Sequence, residues 1–363
     1  MGLYTRAIRP LLFRIEAERM HTLAIRASEL AGRTPVRALL ARRYAVADPR
    51  LACRVCGIDF ANPIGLAAGY DKSGRAVPFL AALGFGFVEI GSVSADPSDG
   101  NPRPRLWRLP EARAIIVNYG LPNDGADAVA ARLARTSVPV PLGINIVKTN
   151  RLRVEPDDAI IDDYIRSVGV LKESGDYLAL SLSCPNTETG REFFTEPARV
   201  VELLERVSAL AIARPLFLKI SPLGGVGALE RLLEAVDGFP CVSGFIFNLP
   251  PGKPAGLGLN EEEVARMPGA VGGEPVEATI NAAIRELYAR MDRARYRIIG
   301  VGGVFSAEDA YRKIRLGASL VQLLTGLVYE GPGAVRAINR GLLALLERDG
   351  FASVAEAVGT GSD

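Results

Sequence analysis

Residues 297–326 read RIIGVGGVFSAEDAYRKIRLGASLVQLLTG, and this stretch contains two short apolar runs separated by a segment with helical spacing. The runs are RIIGVGG (297–303) and ASLVQLL (318–324), and the helical segment extends from Ala307 to Leu316. Two strands joined by such a helix pair in parallel, because the crossover returns the chain to the same end of the sheet. The stretch therefore predicts one strand–helix–strand unit.

The same unit recurs along the chain. Six similar runs bounded by Gly or Pro precede it: PIGLAAG (63–69), GFVEIG (86–91), PLGINI (141–146), YLALSLS (177–183), PLFLKIS (215–221) and VSGFIFN (242–248). Eight such units in about 260 residues match the size of a (β/α)8 barrel. The alternative is a doubly wound sheet, but its G-x-G-x-x-G fingerprint is absent from the first unit. We therefore predict an α/β fold, a (β/α)8 TIM barrel over residues 46–350, with a C-terminal tail over 351–363.

The first 45 residues form a basic arm, with nine arginines and three glutamates, whereas the whole chain carries a formal net charge of +2. Neither of its two apolar stripes is long enough to span a bilayer. A helical hairpin packed on the barrel and an Arg-assisted element on a membrane surface are both compatible with this pattern. The stripes contain Leu3, Ala7, Ile8, Leu11, Leu12 and Ile15, then Met20, Leu23, Ala24, Ala27 and Leu30.

Cysteine, histidine and charge restrict the classes of function. Four cysteines in 363 residues are too few for a disulfide framework, which indicates a reducing, cytosolic compartment. Cys53 and Cys56 could be half of a zinc site, but there is no second pair, so we predict a small strand there and no metal. The single histidine, His21, lies in the arm, so no His-based nucleophile is expected in the barrel. The small net charge gives no reason to expect nucleic acid.

The carboxyl ends of the strands are the candidate site, because barrel enzymes carry their chemistry there. Lys72 and Lys219 lie at two of these ends, where a buried ammonium is costly unless an anion or a ring shares the site. GVGG (300–303) and LTG (324–326) end strands seven and eight, and such turns let backbone N–H groups approach a phosphate. A flavin nucleotide suits both features, and structural ion pairing is the alternative for the lysines. Long connections at 92–125 and 249–275 are expected to cover or line the site.

The fourth strand continues as LSLSCPNTETG (180–190), in which Cys184 is followed by Pro185. Proline ends strand pairing, so the cysteine is presented in a turn. A thiol has a free pKa of about 8.5, low enough for a general base with modest assistance. A plain buried cysteine is the alternative interpretation.

Seven segments, in order and at these intervals, resemble the dihydroorotate dehydrogenases, which are FMN enzymes on a (β/α)8 barrel: LAAGYDKSG, EIGS, LGINI, LSLSCPNT, FLKISP, IIGVGG and GASLVQLLTG. The arm, with AERMHTL around His21, resembles the N-terminal extension of the membrane-associated, quinone-using class 2 enzymes. The resemblance implies Cys184 as the acid/base, with Lys72 also catalytic. Class 2 enzymes usually have serine at that position and class 1 enzymes have cysteine. The implied FMN contacts are Ala68, Gly69, Lys72, Ser92, Asn145, Ser181, Lys219, Asn248, Gly273, Gly302, Gly303, Leu324 and Thr325.

The resemblance also implies the reaction and its partners. (S)-Dihydroorotate would be oxidised to orotate by hydride transfer to FMN, with quinone as acceptor, at the inner face of the membrane, which the arm contacts from the cytoplasm. The implied substrate residues are Val117, Asn118, Tyr119, Asn186 and Asn248. The family pattern has Asn where this chain has Val117, Asn where it has Ser181, and Thr-Asn-Thr where it has Asn248, Leu249 and Pro250. A divergent member acting on a less polar substrate and a flavin-binding protein without turnover are the alternatives.

Overall fold

The computed structural model describes residues 2–150, 157–183 and 193–361, and its centre is a closed barrel of eight strands. The strands of the described residues are β1 Cys53–Val55, β2 Ile58–Phe60, β3 Ile64–Leu66, β4 Phe87–Val93, β5 Leu106–Leu109, β6 Ala114–Val117, β7 Leu142–Ile146, β8 Tyr177–Ser181, β9 Leu216–Ile220, β10 Val242–Phe247, β11 Ala270–Gly273, β12 Arg297–Gly300 and β13 Leu320–Leu323.

The barrel strands follow one another in the order β3, β4, β7, β8, β9, β10, β12 and β13, and β13 pairs with β3 to close the ring. Every neighbouring pair is parallel. These eight strands are the eight apolar runs of the sequence, so the predicted (β/α)8 barrel is confirmed and the doubly wound alternative is excluded.

Helices surround the barrel and also form the arm. In chain order, after a π-helical turn at Tyr4–Ile8, they are α1 Arg9–Leu12, α2 Ala17–Gly32, α3 Val36–Tyr44, α4 Val77–Ala81, α5 Ala126–Leu133, α6 Asp157–Leu171, α7 Pro197–Ser208, α8 Gly225–Asp237, α9 Glu261–Arg266, α10 Glu277–Arg290, α11 Ala307–Arg315, α12 Thr325–Glu330, α13 Ala334–Asp349 and α14 Val354–Ala357. The main core lies between the strands and these helices, because parallel barrel strands are covered by helices on their outer side.

The amino end of the barrel is closed by the β1–β2 hairpin, which carries Cys53 and has Cys56 in its turn. Phe60 of this hairpin meets the ring of Phe87 edge-on at 5.3 Å. Both belong to a separate apolar cluster with Tyr177 and Phe217 from the starts of β8 and β9. The C-x-x-C segment therefore forms the small strand that was predicted ahead of the barrel.

The two long connections meet in a second sheet. β5 and β6 come from the connection after the second barrel strand, and β11 comes from the connection after the sixth. β11 pairs antiparallel with β6, from Ala270 opposite Val117 to Gly273 opposite Ala114. The sequence predicted long connections near the site without identifying β11, which is rich in glycine and pairs with a strand about 150 residues earlier.

The arm lies against the barrel through its π-helical turn, α1 and α2. Tyr4 Oη donates to the carbonyl of Val328 at 2.8 Å, and Arg9 Nη1 donates to the carbonyl of Tyr329 at 3.1 Å. α2 packs on α4 where Gly32 passes the backbone of Phe79, and a Cβ on Gly32 would lie 3.2 Å from the Phe79 nitrogen. The arm is therefore docked on the barrel by specific contacts as well as by apolar packing.

Candidate active site

A cavity of about 580 Å³ lies at the carboxyl end of the barrel and continues beneath the arm. This volume falls within the range of small-molecule and cofactor sites. Residues of the barrel and of the second sheet form one end, and residues of α1 and α2 form the other. The predicted site residues that line it are Ala68, Gly69, Lys72, Ser92, Val117, Tyr119, Lys219, Asn248, Gly302, Leu324 and Thr325.

Two predicted residues lie directly behind this wall and hydrogen bond to residues in it. Asn145 is fully buried, and its Oδ1 accepts from Ser92 Oγ at 2.5 Å. Ser181 is also buried, and its Oγ accepts from Asn248 Nδ2 at 3.1 Å. These two side chains therefore orient the cavity-lining Ser92 and Asn248.

The remaining predicted residues have varied positions. Asn118 accepts through Oδ1 from Asn101 Nδ2 at 3.2 Å, within the connection that carries β5 and β6. Gly273 follows Gly272, which lines the cavity. The predicted base Cys184 and the predicted substrate residue Asn186 lie outside the described residues.

The glycine turn after β12 has backbone dihedral angles that favour glycine, as is common where a backbone approaches a ligand closely. Gly302 and Gly303 have φ angles of +85° and +70°, in the left-handed region that favours glycine. A Cβ on Gly303 would lie 2.4 Å from the Cβ of Glu277. Both conformation and space therefore exclude a larger side chain at this turn.

Lys72 follows the first barrel strand and is held over the cavity by three neighbours. Its Nζ donates to the carbonyl of Gly69 at 2.8 Å, lies 3.4 Å from His21 Nε2 and sits 3.9 Å from the centre of the Tyr119 ring. Burial lowers the pKa of Lys72 to about 8, although Asp71 acts in the opposite direction. An amine with this pKa is largely protonated at neutral pH and loses its proton under mildly basic conditions.

His21 reaches from the arm to this lysine. Its ring meets Tyr70 edge-on at 5.2 Å. Desolvation, reinforced by the Lys72 charge, lowers the pKa of His21 to about 3, so the imidazole is neutral. The sequence placed His21 in the arm, away from the barrel residues, whereas the fold brings it into contact with Lys72. Only the packing of α2 on the barrel reveals this contact.

Lys219, on β9, also lines the cavity, and it is paired with a carboxylate that the sequence analysis did not single out. Its Nζ lies 3.3 Å from Oε1 of Glu89, a residue of β4 with 0% exposure. The structural ion pair that was the alternative explanation for Lys219 is therefore present, and the lysine also lines the cavity. A single glutamate inside an otherwise apolar strand, GFVEIG, was the signal that could have revealed it.

Beneath the arm the cavity wall is mainly apolar. Phe13, from the turn between α1 and α2, and Met20 and Ala24 of α2 line it opposite Leu327 and Val328 of α12. The opposite face of the arm exposes large apolar side chains, with Leu11 60%, Leu30 67% and Leu39 68% exposed. Among the described residues, no helix has the length and hydropathy to cross a bilayer.

A second, polar cleft of about 1030 Å³ adjoins the cavity. Charged side chains such as Arg26, Arg75 and Asp124 line it. His21, Tyr70, Lys72, Tyr119 and Pro122 line both spaces. These five residues therefore separate an apolar chamber from a polar one.

Comparison with known proteins gives full-length similarity to one family. The family model described as Dihydroorotate dehydrogenase matches residues 50–346. The protein named Dihydroorotate dehydrogenase (quinone) from Natronomonas pharaonis is 42% identical over 359 residues, covering 99% of both chains. The protein of that name from Acidithiobacillus ferrooxidans is 44% identical over 371 residues, covering 97% of this chain and 98% of its own. A crystal structure of DHODH from Eimeria tenella in complex with ferulenol matches with a TM-score of 0.78 at 28% identity, covering 92% of this chain and 95% of that one.

Proposed function

We propose that this chain, which belongs to the dihydroorotate dehydrogenase family, oxidises (S)-dihydroorotate to orotate and passes the two electrons to a quinone. It is then an FMN-dependent oxidoreductase acting on a CH–CH bond, and its reaction belongs to pyrimidine biosynthesis. The observation that carries the proposal is the continuous cavity, which joins the predicted flavin residues at the barrel rim to the apolar inner face of the arm.

The residues present fit FMN. Two cationic side chains, Lys72 and Lys219, face the same cavity, as a ring that becomes anionic on reduction requires. Gly302, which also lines the cavity, and Gly303 form a left-handed turn without side chains, the kind of turn whose backbone N–H groups can bind a phosphate. We assign Lys72, Lys219, Ser92 and the glycine turn as the groups that would hold it.

When bound, FMN supplies a two-electron acceptor for the hydride of the substrate. The protein supplies the proton chemistry and the electrostatics. Cys184 removes the proton from the carbon next to the hydride donor, so that the C=C bond of orotate forms as both hydrogens leave. Lys72 would place positive charge beside the reacting ring, and Asn248, which lines the cavity and donates to Ser181, would face the substrate.

The place where the quinone would bind is inferred from the polarity of the cavity. A quinone is an apolar ring on a lipid tail, and the chamber beneath the arm is walled by Phe13, Met20 and Leu327. The outer face of the arm would rest on the inner face of the membrane, with Leu11, Leu30 and Leu39 in the interface and arginines near the lipid headgroups.

Leu30→Glu combined with Leu39→Glu should abolish binding to anionic vesicles, because it replaces exposed apolar side chains by carboxylates. Both positions are exposed, so the fold should persist. Leu223→Glu is the matched control, because Leu223 is 50% exposed on the barrel. Equal vesicle sedimentation of the double variant and the control would contradict the membrane assignment.

One observation favours the second candidate, a family member that acts on a less polar ring. Val117 lines the cavity where the family pattern has Asn, and Leu249 lines it within the segment where the family pattern has Thr-Asn-Thr. Each lost hydrogen bond to a substrate is worth about 0.5–1.5 kcal/mol. The side chains at these two positions are therefore less polar in this chain than in the family pattern.

Anaerobic mixing of the purified yellow protein with dihydroorotate separates these candidates. Rapid loss of flavin absorbance, followed by recovery on addition of a short-chain quinone, is the expected result. Absorbance that remains unchanged with dihydroorotate but falls with a dihydropyrimidine lacking the carboxylate would favour the second candidate. Absorbance unchanged by either reductant would favour a flavin protein without turnover.

A further inference from the structure

The buried carboxylate of Glu89 collects four hydrogen-bond donors from four different strands of the barrel. Its Oε1 accepts from Lys219 Nζ at 3.3 Å and from Asn145 Nδ2 at 3.4 Å. Its Oε2 accepts from Tyr177 Oη at 2.9 Å and from Gln322 Nε2 at 2.8 Å. A buried charge is tolerated only when it is paired and hydrogen bonded in this way.

The two oxygens of Glu89 face different parts of the molecule. Oε1 holds Lys219 and Asn145, and Asn145 in turn accepts from Ser92 Oγ at 2.5 Å. Lys219 and Ser92 line the cavity, whereas Glu89 does not. Oε2 instead holds Tyr177, which packs against Phe217 in the apolar cluster at the amino end of the barrel.

We propose that Glu89 is a positioning residue that holds the Lys219 ammonium and the Asn145–Ser92 pair against the flavin ring, and thereby sets the reduction potential of the flavin. This inference rests on one part of the proposed function, that FMN binds in this cavity. It does not depend on which substrate is oxidised.

Removing the charge of Glu89 should act through Lys219. In Glu89→Gln the hydroxyl of Tyr177 and the amide of Gln322 can each reverse their hydrogen bonding, so the packing survives. Glu89 is the only carboxylate within ion-pair distance of Lys219 among the residues that the structure describes. A buried ammonium that loses its counter-charge turns away or gives up its proton. Either response removes positive charge from beside the ring, which weakens binding of the reduced, anionic flavin more than binding of the oxidised form.

The measurement is the reduction potential of the bound flavin, titrated on the holoenzyme with dithionite and an indicator dye. We expect Glu89→Gln to lower the preference for reduced over oxidised flavin about tenfold, a shift of about 30 mV toward negative potential for a two-electron couple. Lys219→Met should lower it at least as much, and the double variant should add nothing to Lys219→Met. An unchanged or more positive potential in Glu89→Gln, or additive effects in the double variant, would overturn the proposal.

Tyr177→Phe separates positioning from a purely structural role. It removes a donor from Oε2 but leaves the contacts of Oε1, so the midpoint of thermal unfolding should fall while the potential stays within a few millivolts of wild type, well short of a tenfold change. If the potential of Tyr177→Phe shifted as much as that of Glu89→Gln, the shift would be caused by general disruption of the barrel, and the proposal would be overturned.

Glu89→Asp replaces Glu89→Gln if the latter does not fold, because it keeps the charge but withdraws it from Lys219 by one methylene. It should shift the potential in the same direction, and a folded Glu89→Asp protein with the wild-type potential would overturn the proposal. Because the reductant is chemical, a wild-type protein that holds FMN but is not reduced by dihydroorotate would contradict the proposed substrate without affecting this test.

Discussion

Glu18→Gln should release the arm from the barrel. Glu18 lies in the first turn of α2 and is 6% exposed, and its Oε1 accepts from Arg105 Nε at 3.0 Å and Nη2 at 2.8 Å. The glutamine leaves Arg105, itself 7% exposed, without its counter-charge. Breaking a buried pair at one partner costs about 3–5 kcal/mol.

The lower end of that range applies here. Arg105 Nη1 still donates to the carbonyls of Asp99 and Asn101, at 2.5 and 2.9 Å, so the guanidinium is not left without acceptors. The variant also loses the favourable interaction of the Glu18 charge with the N-terminus of α2, which adds about 0.5 kcal/mol to the loss. We therefore expect a loss of about 3 kcal/mol, roughly a hundredfold or more in the equilibrium for arm detachment.

Native-state hydrogen exchange measures this equilibrium directly. The amides of α2 in Glu18→Gln should exchange about a hundredfold faster, while amides of the barrel strands remain protected. Glu29→Gln is the matched control on the same helix, because Glu29 pairs at 2.6 Å with Arg33, whose side chain is 72% exposed, and such pairs contribute little. Equal protection of α2 in the two variants would refute the view that the Glu18–Arg105 pair holds the arm.

Three further predictions concern the site. The pKa of His21 is about 3 in the folded protein and near 6.5 in the unfolded chain, so only the unfolded chain takes up a proton between pH 7 and pH 5. Acidification over this range should therefore destabilise the docked arm by about 2 kcal/mol. The hydrogen exchange of α2 should show this pH dependence in the wild type and lose it in His21→Gln. The pKa of Lys72 is about 8, so the affinity of flavin-free protein for FMN should change little between pH 7 and pH 7.5 and should fall above pH 8 toward tenfold per pH unit. Over the same range Lys72→Met should give a flat profile in a fluorescence titration. Cys184→Ala should slow flavin reduction by dihydroorotate about 10²–10⁴-fold in stopped flow with FMN still bound, and unchanged kinetics would make Cys184 a structural residue.

The barrel was predictable because each of its strands is a local signal. A run such as PLGINI is short, apolar and followed by helical spacing, and burial on both faces of a parallel strand produces that pattern without information from the rest of the chain. β11 gives no such signal. Its AVGG sequence has little β propensity, and it exists because β6 offers an edge about 150 residues away in sequence.

The site shows the same division between local and distant information. Lys72 and Lys219 were identifiable because a lysine at the end of a barrel strand is costly unless it has a partner. The partner of Lys219 comes from β4, and the contact of Lys72 with His21 comes from the arm. Sequence spacing predicts that a partner exists, whereas only the tertiary fold identifies which side chain it is.

The contact between His21 and Lys72 determines how the two half-reactions can be separated experimentally. Deleting the arm would remove the chamber beneath it that we propose for the quinone. It would also take His21 away from Lys72 and open the shared wall at Tyr119 to water. Water would relieve the desolvation that lowers the pKa of Lys72. A truncated protein would therefore change on the flavin side as well. Substitutions at Leu30 and Leu39, on the exposed outer face of the arm, leave this wall in place. A loss of quinone reduction on vesicles in those variants would therefore test the proposed membrane contact alone.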